Sequence, residues 1–149
     1  MKSVYNVAEN AELISRINLL NQESAALWGK MSVAQMMAHL QAPLNVAFGE
    51  LNLKQSFIGI LFGGYVKKKL AGDLPFGKNL PTVQQFVKNA RHNFEIEKQN
   101  LIKLIQRLAE KGSSSIIVYQ HPFFGKMNAE EWDCLLYKHI DHHLQQFGV

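Results

Sequence analysis

Six histidines stand in the chain, and half of them crowd into one short run, His139-Ile140-Asp141-His142-His143. Imidazole is both the commonest metal ligand and the side chain best suited to proton transfer near neutral pH. With Trp132 set at zero and an advance of about 100° per residue, His139 falls at roughly 340° and His143 at roughly 20°. Leu135, Leu136, Ile140, Leu144 and Phe147 spread over the same arc, so both rings point where a core should be. His142 falls at roughly 280°, on the rim. Asp141, Lys138, Cys134 and Gln145 lie on the far side. Imidazoles four residues apart on one helix face are neighbours, with about 5–6 Å between Cβ atoms. That spacing suits two ligands of one metal ion. It also suits two ordinary core hydrogen bonds, because a buried polar group left without a partner costs about 1–3 kcal/mol.

The third candidate is His39, flanked by Met36 and Leu40. A lone histidine on an apolar helix face is most often simply hydrogen-bonded within the core. In a bundle, however, facing helices can bring one histidine against a pair. Three histidines with open positions form a catalytic rather than a closed structural arrangement. A neutral set leaves a divalent ion near a net charge of +2. Such an ion polarises an oxygen or lowers the pKa of a bound water or thiol. Zinc, nickel and iron(II) all suit imidazole.

The elements that must carry these residues read as helices. Asn128 and Glu131 form a capping box at the head of the last helix. Glu130 and Glu131 favour the positive end of its dipole. Ser32 and Gln35 form a second box, opening the helix that holds His39. Pro43 predicts a kink there or an end near Ala42. Asn6 and Glu9 have the same box spacing. From there Leu13, Ile17, Leu20, Ser24 and Leu27, with Ile14, predict a first helix running to Trp28-Gly29-Lys30. A long helix is predicted from about Asn89 to Lys111, with Phe94, Leu101, Ile105 and Leu108 on one face and Gly112 after its end. Between these lie a glycine-broken stretch over 56–70, a loop over 71–81 and Thr82 as a cap. Ser113 to Lys126 reads as a connection, with Ile116-Ile117-Val118-Tyr119 as a short extended segment. His121-Pro122 requires extended or turn geometry.

Composition bounds the function. At 149 residues the chain is one domain, residues 1–149, large enough for a real core. Hydrophobic residues make up 47% and charged residues 19%, which excludes a disordered chain. A single cysteine, Cys134, rules out an intramolecular disulfide and a cysteine-rich zinc site. It suits a reducing compartment, so a cytoplasmic location is expected. Met1 to Asn6 lacks an apolar h-region, so no signal peptide is expected. The apolar stretch 57–66, broken by Gly59, Gly63 and Gly64, is too short to span a membrane. The net charge of +4 is clustered only at Lys67-Lys68-Lys69. Without interleaved aromatics this reads as a solvated face rather than a nucleic-acid site. No Ser-His-Asp order, phosphate-binding loop or dinucleotide fingerprint is present.

Two runs of the sequence resemble a known family. Trp28-Gly29-Lys30-Met31-Ser32-Val33-Ala34-Gln35-Met36-Met37-Ala38-His39-Leu40 is similar to the opening motif of the DinB/YfiT-like metalloenzyme superfamily. His121-Pro122-Phe123-Phe124-Gly125-Lys126-Met127, Glu131-Trp132 and Tyr137 through Gly148 resemble the closing run of an uncharacterised bacterial branch of it. The likeness covers both ends and fades over 51–90. It implies an all-α four-helix bundle with a long connection between the second and third main helices. It also implies a three-histidine divalent metal site at His39, His139 and His143. Members include transferases and isomerases that use low-molecular-weight thiols. The resemblance therefore implies a thiol S-transferase or a hydrolase acting on a small molecule, with a low-molecular-weight thiol as a candidate cosubstrate. The alternative is a non-catalytic metal-binding or stress-response bundle. Bundles of this type often form homodimers.

Other residues are candidates for the site. His121, in the loop entering the last helix, could reach its mouth as an acid/base; a structural hydrogen bond is the competing role. Trp28, Phe123, Phe124 and Trp132 could line a substrate pocket, or fill core. His92 reads as solvated, and Glu97, at the edge of its helix's apolar arc, as a candidate supporting residue. Cys134, turned away from the histidines, is a poor nucleophile.

Overall fold

The computed structural model describes residues 2–53, 77 and 92–149. The expectations placed on 56–70, on most of the 71–81 loop and on Thr82 lie outside them, as do residues 89–91. Among the described residues, four α-helices and a minute two-stranded ribbon make an all-α bundle: α1 (Val7–Leu19), α2 (Val33–Ala47), α3 (Phe94–Lys111) and α4 (Ala129–Gln146). A 3₁₀ turn (Gly112–Ser115), β1 (Gln120–His121) and β2 (Gly125–Lys126) join α3 to α4. The strands are antiparallel, with Gln120 opposite Lys126 and His121 opposite Gly125.

The capping boxes of α2 and α4 form as the spacing predicts, each with both reciprocal bonds. At α1 only half the box forms. The Asn6 side chain accepts from the amides of Ala8 and Glu9. The Glu9 carboxylate instead accepts from the Ser3 amide at 2.6 Å.

Helix α1 is also shorter than its apolar stripe predicts, ending at Leu19 rather than near Trp28. Leu20 is extended (φ −78°, ψ 143°) and 3% exposed, so it reaches the core from outside the helix. Asn21 then closes a turn: its side chain accepts from the Glu23 amide at 2.9 Å and its carbonyl from the Ser24 amide at 3.1 Å. Such local side-chain bonds compete with helix propagation. From α3, the Lys98 ammonium donates to the carbonyls of Asn18 and Leu20. A cation is favourable at a helix C-terminus, and this one comes from a helix packed against α1.

Pro43 does not end α2, which continues to Ala47. An interior proline costs about 3 kcal/mol. Downstream, Leu44, Val46, Ala47 and Phe48 are 0–2% exposed, and each large side chain fully buried contributes about 1.5–3 kcal/mol. Burial wins. Helix α3 starts at Phe94, capped by Asn93, later than the periodicity predicts; Gly112 closes it at φ 56°. Residues Ile116 to Tyr119 form no strand. The amides of Ile117 and Val118 share the Ala47 carbonyl, tying the connection to the end of α2.

One core joins the four helices. Leu13 and Ile17 of α1, Met36, Met37, Leu40 and Leu44 of α2, Leu101, Ile105 and Leu108 of α3 and Trp132, Leu136, Ile140 and Leu144 of α4 are all 1% exposed or less. Helix α2 packs on both α3 and α4. Its two sides therefore serve different partners, and His39 lies on the side of α4.

Candidate metal centre

Helix α2 contributes His39; helix α4 contributes His139 and His143 one turn apart. Their ligand-capable nitrogens all lie within 4.8 Å of one another. The Nε2 atoms of His39 and His139 are 3.0 Å apart. Ring centroids are separated by 4.9 Å for His39–His139, 4.8 Å for His39–His143 and 4.8 Å for His139–His143. The interplanar angles are 77°, 75° and 75°. The result is a nearly equilateral triangle of imidazoles, each edge-on to the other two.

Two ligands of a tetrahedral zinc ion, with Zn–N near 2.0–2.1 Å, stand about 3.3 Å apart. The observed group is close to that, and shifts of about an ångström would complete it. The electrostatics agree. His39 and His143 are buried and His139 is half-buried. Burial, then the charges of His143 and His39, pushes the His139 pKa well down. His143 is pushed down to about 3, again mainly by burial. Neutral rings keep a nitrogen lone pair to give to a cation. The group itself contains no carboxylate. The donor set thus fits a borderline-soft first-row ion.

His143 is held by a residue the sequence reading passed over. Its Nδ1 donates to Oε1 of Gln146 at 2.7 Å. Nε2 of Gln146 donates to the Trp28 carbonyl at 2.6 Å. A carbonyl can only accept, which fixes the orientation of the amide and with it the His143 tautomer. The available signal was helical spacing, since Gln146 sits one turn beyond His143.

His142 stays at the rim, half-buried, its ring 5.2 Å from His143 and 5.8 Å from the Trp28 indole. Cys134 is half-buried on α4.

His92 is not solvated. Its side chain is 12% exposed, and its Nδ1 pairs with Glu97 Oε1 at 2.8 Å. Glu97 Oε2 accepts from Gln41 Nε2 at 2.7 Å. Gln41 lies two residues beyond His39, on a different face of α2. Glu97 therefore joins a separate polar link between α2 and the head of α3.

The aromatic candidates divide. Trp28 packs on His142. Trp132 is fully buried, and Phe123 and Phe124 are half-buried and edge-on to each other. His121 belongs with this second group, stacked on Phe124 at 4.5 Å and tilted on Trp132 at 5.0 Å. Its Nδ1 accepts from the amides of Phe123 and Phe124, at 3.0 and 3.1 Å. A cleft of about 190 Å³ opens nearby between Val46, Leu51, Val118, Gln120 and Pro122, and none of the three clustered histidines lines it.

Burial pushes the His121 pKa down to about 4, against about 6.5 in an unfolded chain. Between those values the unfolded chain holds the extra proton, so stability falls as pH falls through that window. The loss grows by about 1.4 kcal/mol per pH unit. Asn in place of His121 keeps an oxygen acceptor for the two amides and removes this titration. Urea denaturation of metal-free protein between pH 7.5 and 4.5 is expected to show a shallower acid decline for His121→Asn than for wild type. Parallel profiles would contradict the assignment.

A family model described as "Protein of unknown function (DUF1569)" matches residues 4–148. No curated protein and no solved structure matches the chain. Among the described residues, no helix is long and apolar enough to cross a membrane.

Proposed function

The chain belongs to that family of unknown function, and from this premise we propose that it is a metal-dependent enzyme of the DinB/YfiT-like superfamily, acting on a small molecule by transfer of a thiol or by hydrolysis. The observation that carries the reading is the triangle of mutually edge-on imidazoles from α2 and α4. His39, His139 and His143 would hold a divalent ion: zinc, nickel or iron(II). Bound there, the ion would supply Lewis acidity and lower the pKa of a thiol or water nucleophile.

The protein's own side chains do the rest. Gln146 holds His143 with a nitrogen lone pair turned away from its hydrogen bond. His121 acts in this reading as a staple of the 120–126 turn, since both nearby amides occupy its Nδ1. Trp28 walls the site beside His142, with a low-molecular-weight thiol as the candidate cosubstrate.

The test is turnover by metal-loaded protein. A panel of low-molecular-weight thiols is offered with alkylating electrophiles, and thiol consumption is followed; ester and amide hydrolysis is followed in parallel. Metal-dependent turnover in either arm, lost in His139→Ala, supports an enzyme. Metal binding without turnover in any arm supports the non-catalytic bundle domain instead.

A further inference from the structure

The loop before α2 and the last turn of α4 meet at Gln146. The Leu27 amide donates to the Gln146 carbonyl at 2.7 Å. The Gln146 side-chain amide donates to the Trp28 carbonyl at 2.6 Å and accepts from His143 at 2.7 Å. Gln146 is 4% exposed, and its bond to His143 is buried. Gly29 follows at φ +83°, a conformation that L side chains rarely adopt. A Cβ there would stand 2.5 Å from Nε2 of Gln146. The glycine is thus needed twice, for its backbone angle and for room beside the amide.

We propose that Gln146 is a positioning residue that couples the Trp28–Gly29 loop to the metal ligand His143. The inference rests on the metal-centre reading above. The relay has a fixed sense. The Trp28 carbonyl selects the orientation of the amide, the amide selects the N–H of His143 Nδ1, and Nε2 is left as the basic nitrogen. The loop backbone therefore sets the tautomer and tilt of one ligand without touching the ion. Partners that orient a metal-bound histidine in this way commonly contribute 10–100-fold to metal affinity. Linkage runs in both directions, so an ion at the histidines also steadies the loop that carries Trp28.

The experiment is a zinc titration against a chromogenic chelator, on wild type, Gln146→Leu, Gly29→Ala and the double variant. Gln146→Leu is expected to raise the zinc Kd about 10–100-fold. Gly29→Ala, which changes neither α4 nor any histidine, is expected to raise it as well. The double variant should bind no more weakly than Gln146→Leu alone, because the loop acts through the amide. Gln146→Glu keeps an acceptor for His143 and should hold zinc at least about tenfold tighter than Gln146→Leu. A purely structural role would lower the thermal midpoint of metal-free protein and leave the Kd unchanged. Zinc binding by Gln146→Leu within about threefold of wild type would overturn the proposal, as would losses that multiply in the double variant. Wild type that takes up no zinc would instead sink the metal-centre reading itself.

Discussion

Alanine at position 143 is expected to weaken the binding of a first-row divalent ion by more than about 100-fold. Loss of an orienting partner alone commonly costs 10–100-fold, and this change removes a ligand outright. His143 is the ligand with the most support. It is 8% exposed, bonded through Nδ1 to Gln146, and 4.8 Å from both other rings. Its removal leaves two imidazoles on facing helices, where three would share the ion. A thermal readout follows from mass action. An ion held at about 100 times its Kd stabilises the fold by about 2.7 kcal/mol. Wild type should therefore gain thermal midpoint on addition of the ion, and His143→Ala should not. An equal gain in both proteins would place the ion elsewhere.

Trp132→Ala is expected to have the largest effect on the fold itself, about 3–5 kcal/mol of destabilisation. The indole is fully buried and heads the α4 face that continues to His139 and His143. It also supports the 120–126 turn through His121. Removing it leaves a large cavity between these elements. Its Nε1 is buried with no hydrogen-bond partner, so Trp132→Phe removes an unsatisfied donor along with some volume. That variant should cost less than half as much. Urea denaturation of the metal-free proteins measures both. A loss under about 1 kcal/mol for Trp132→Ala would mean that α4 does not seat on this residue as described.

Much of the centre was legible because α4 announces itself. Its capping box fixes where the helix starts, and the 3.6-residue period then turns His139 and His143 inward and leaves His142 at the rim. Nothing local in the sequence places His39 against that pair. Its position depends on α2 crossing α4, and a resemblance to other sequences supplied what periodicity could not. The errors share a physical cause. The stripe of α1 continues through Ser24 and Leu27, but the Asn21 turn and the Lys98 cap from α3 end the helix at Leu19. Of the kink or end that Pro43 predicts, the end near Ala42 does not occur, because the buried residues beyond it outweigh its cost. His92 reads as solvated, but its ring pairs with Glu97, whose other carboxylate oxygen Gln41 reaches only when α2 and α3 pack. Gln146 was missed for a similar reason. Its spacing from His143 is local, but the orientation of its amide is set by the Trp28 carbonyl, distant in sequence.

The most direct test of the central claim is the metal content of the purified protein after loading with zinc, nickel or iron(II) and removal of free ion, measured by elemental analysis. The triangle of His39, His139 and His143 predicts one ion per chain for wild type and far less than one for His39→Ala, His139→Ala and His143→Ala. Wild type that retains no stoichiometric ion, or His39→Ala that retains as much as wild type, would contradict it.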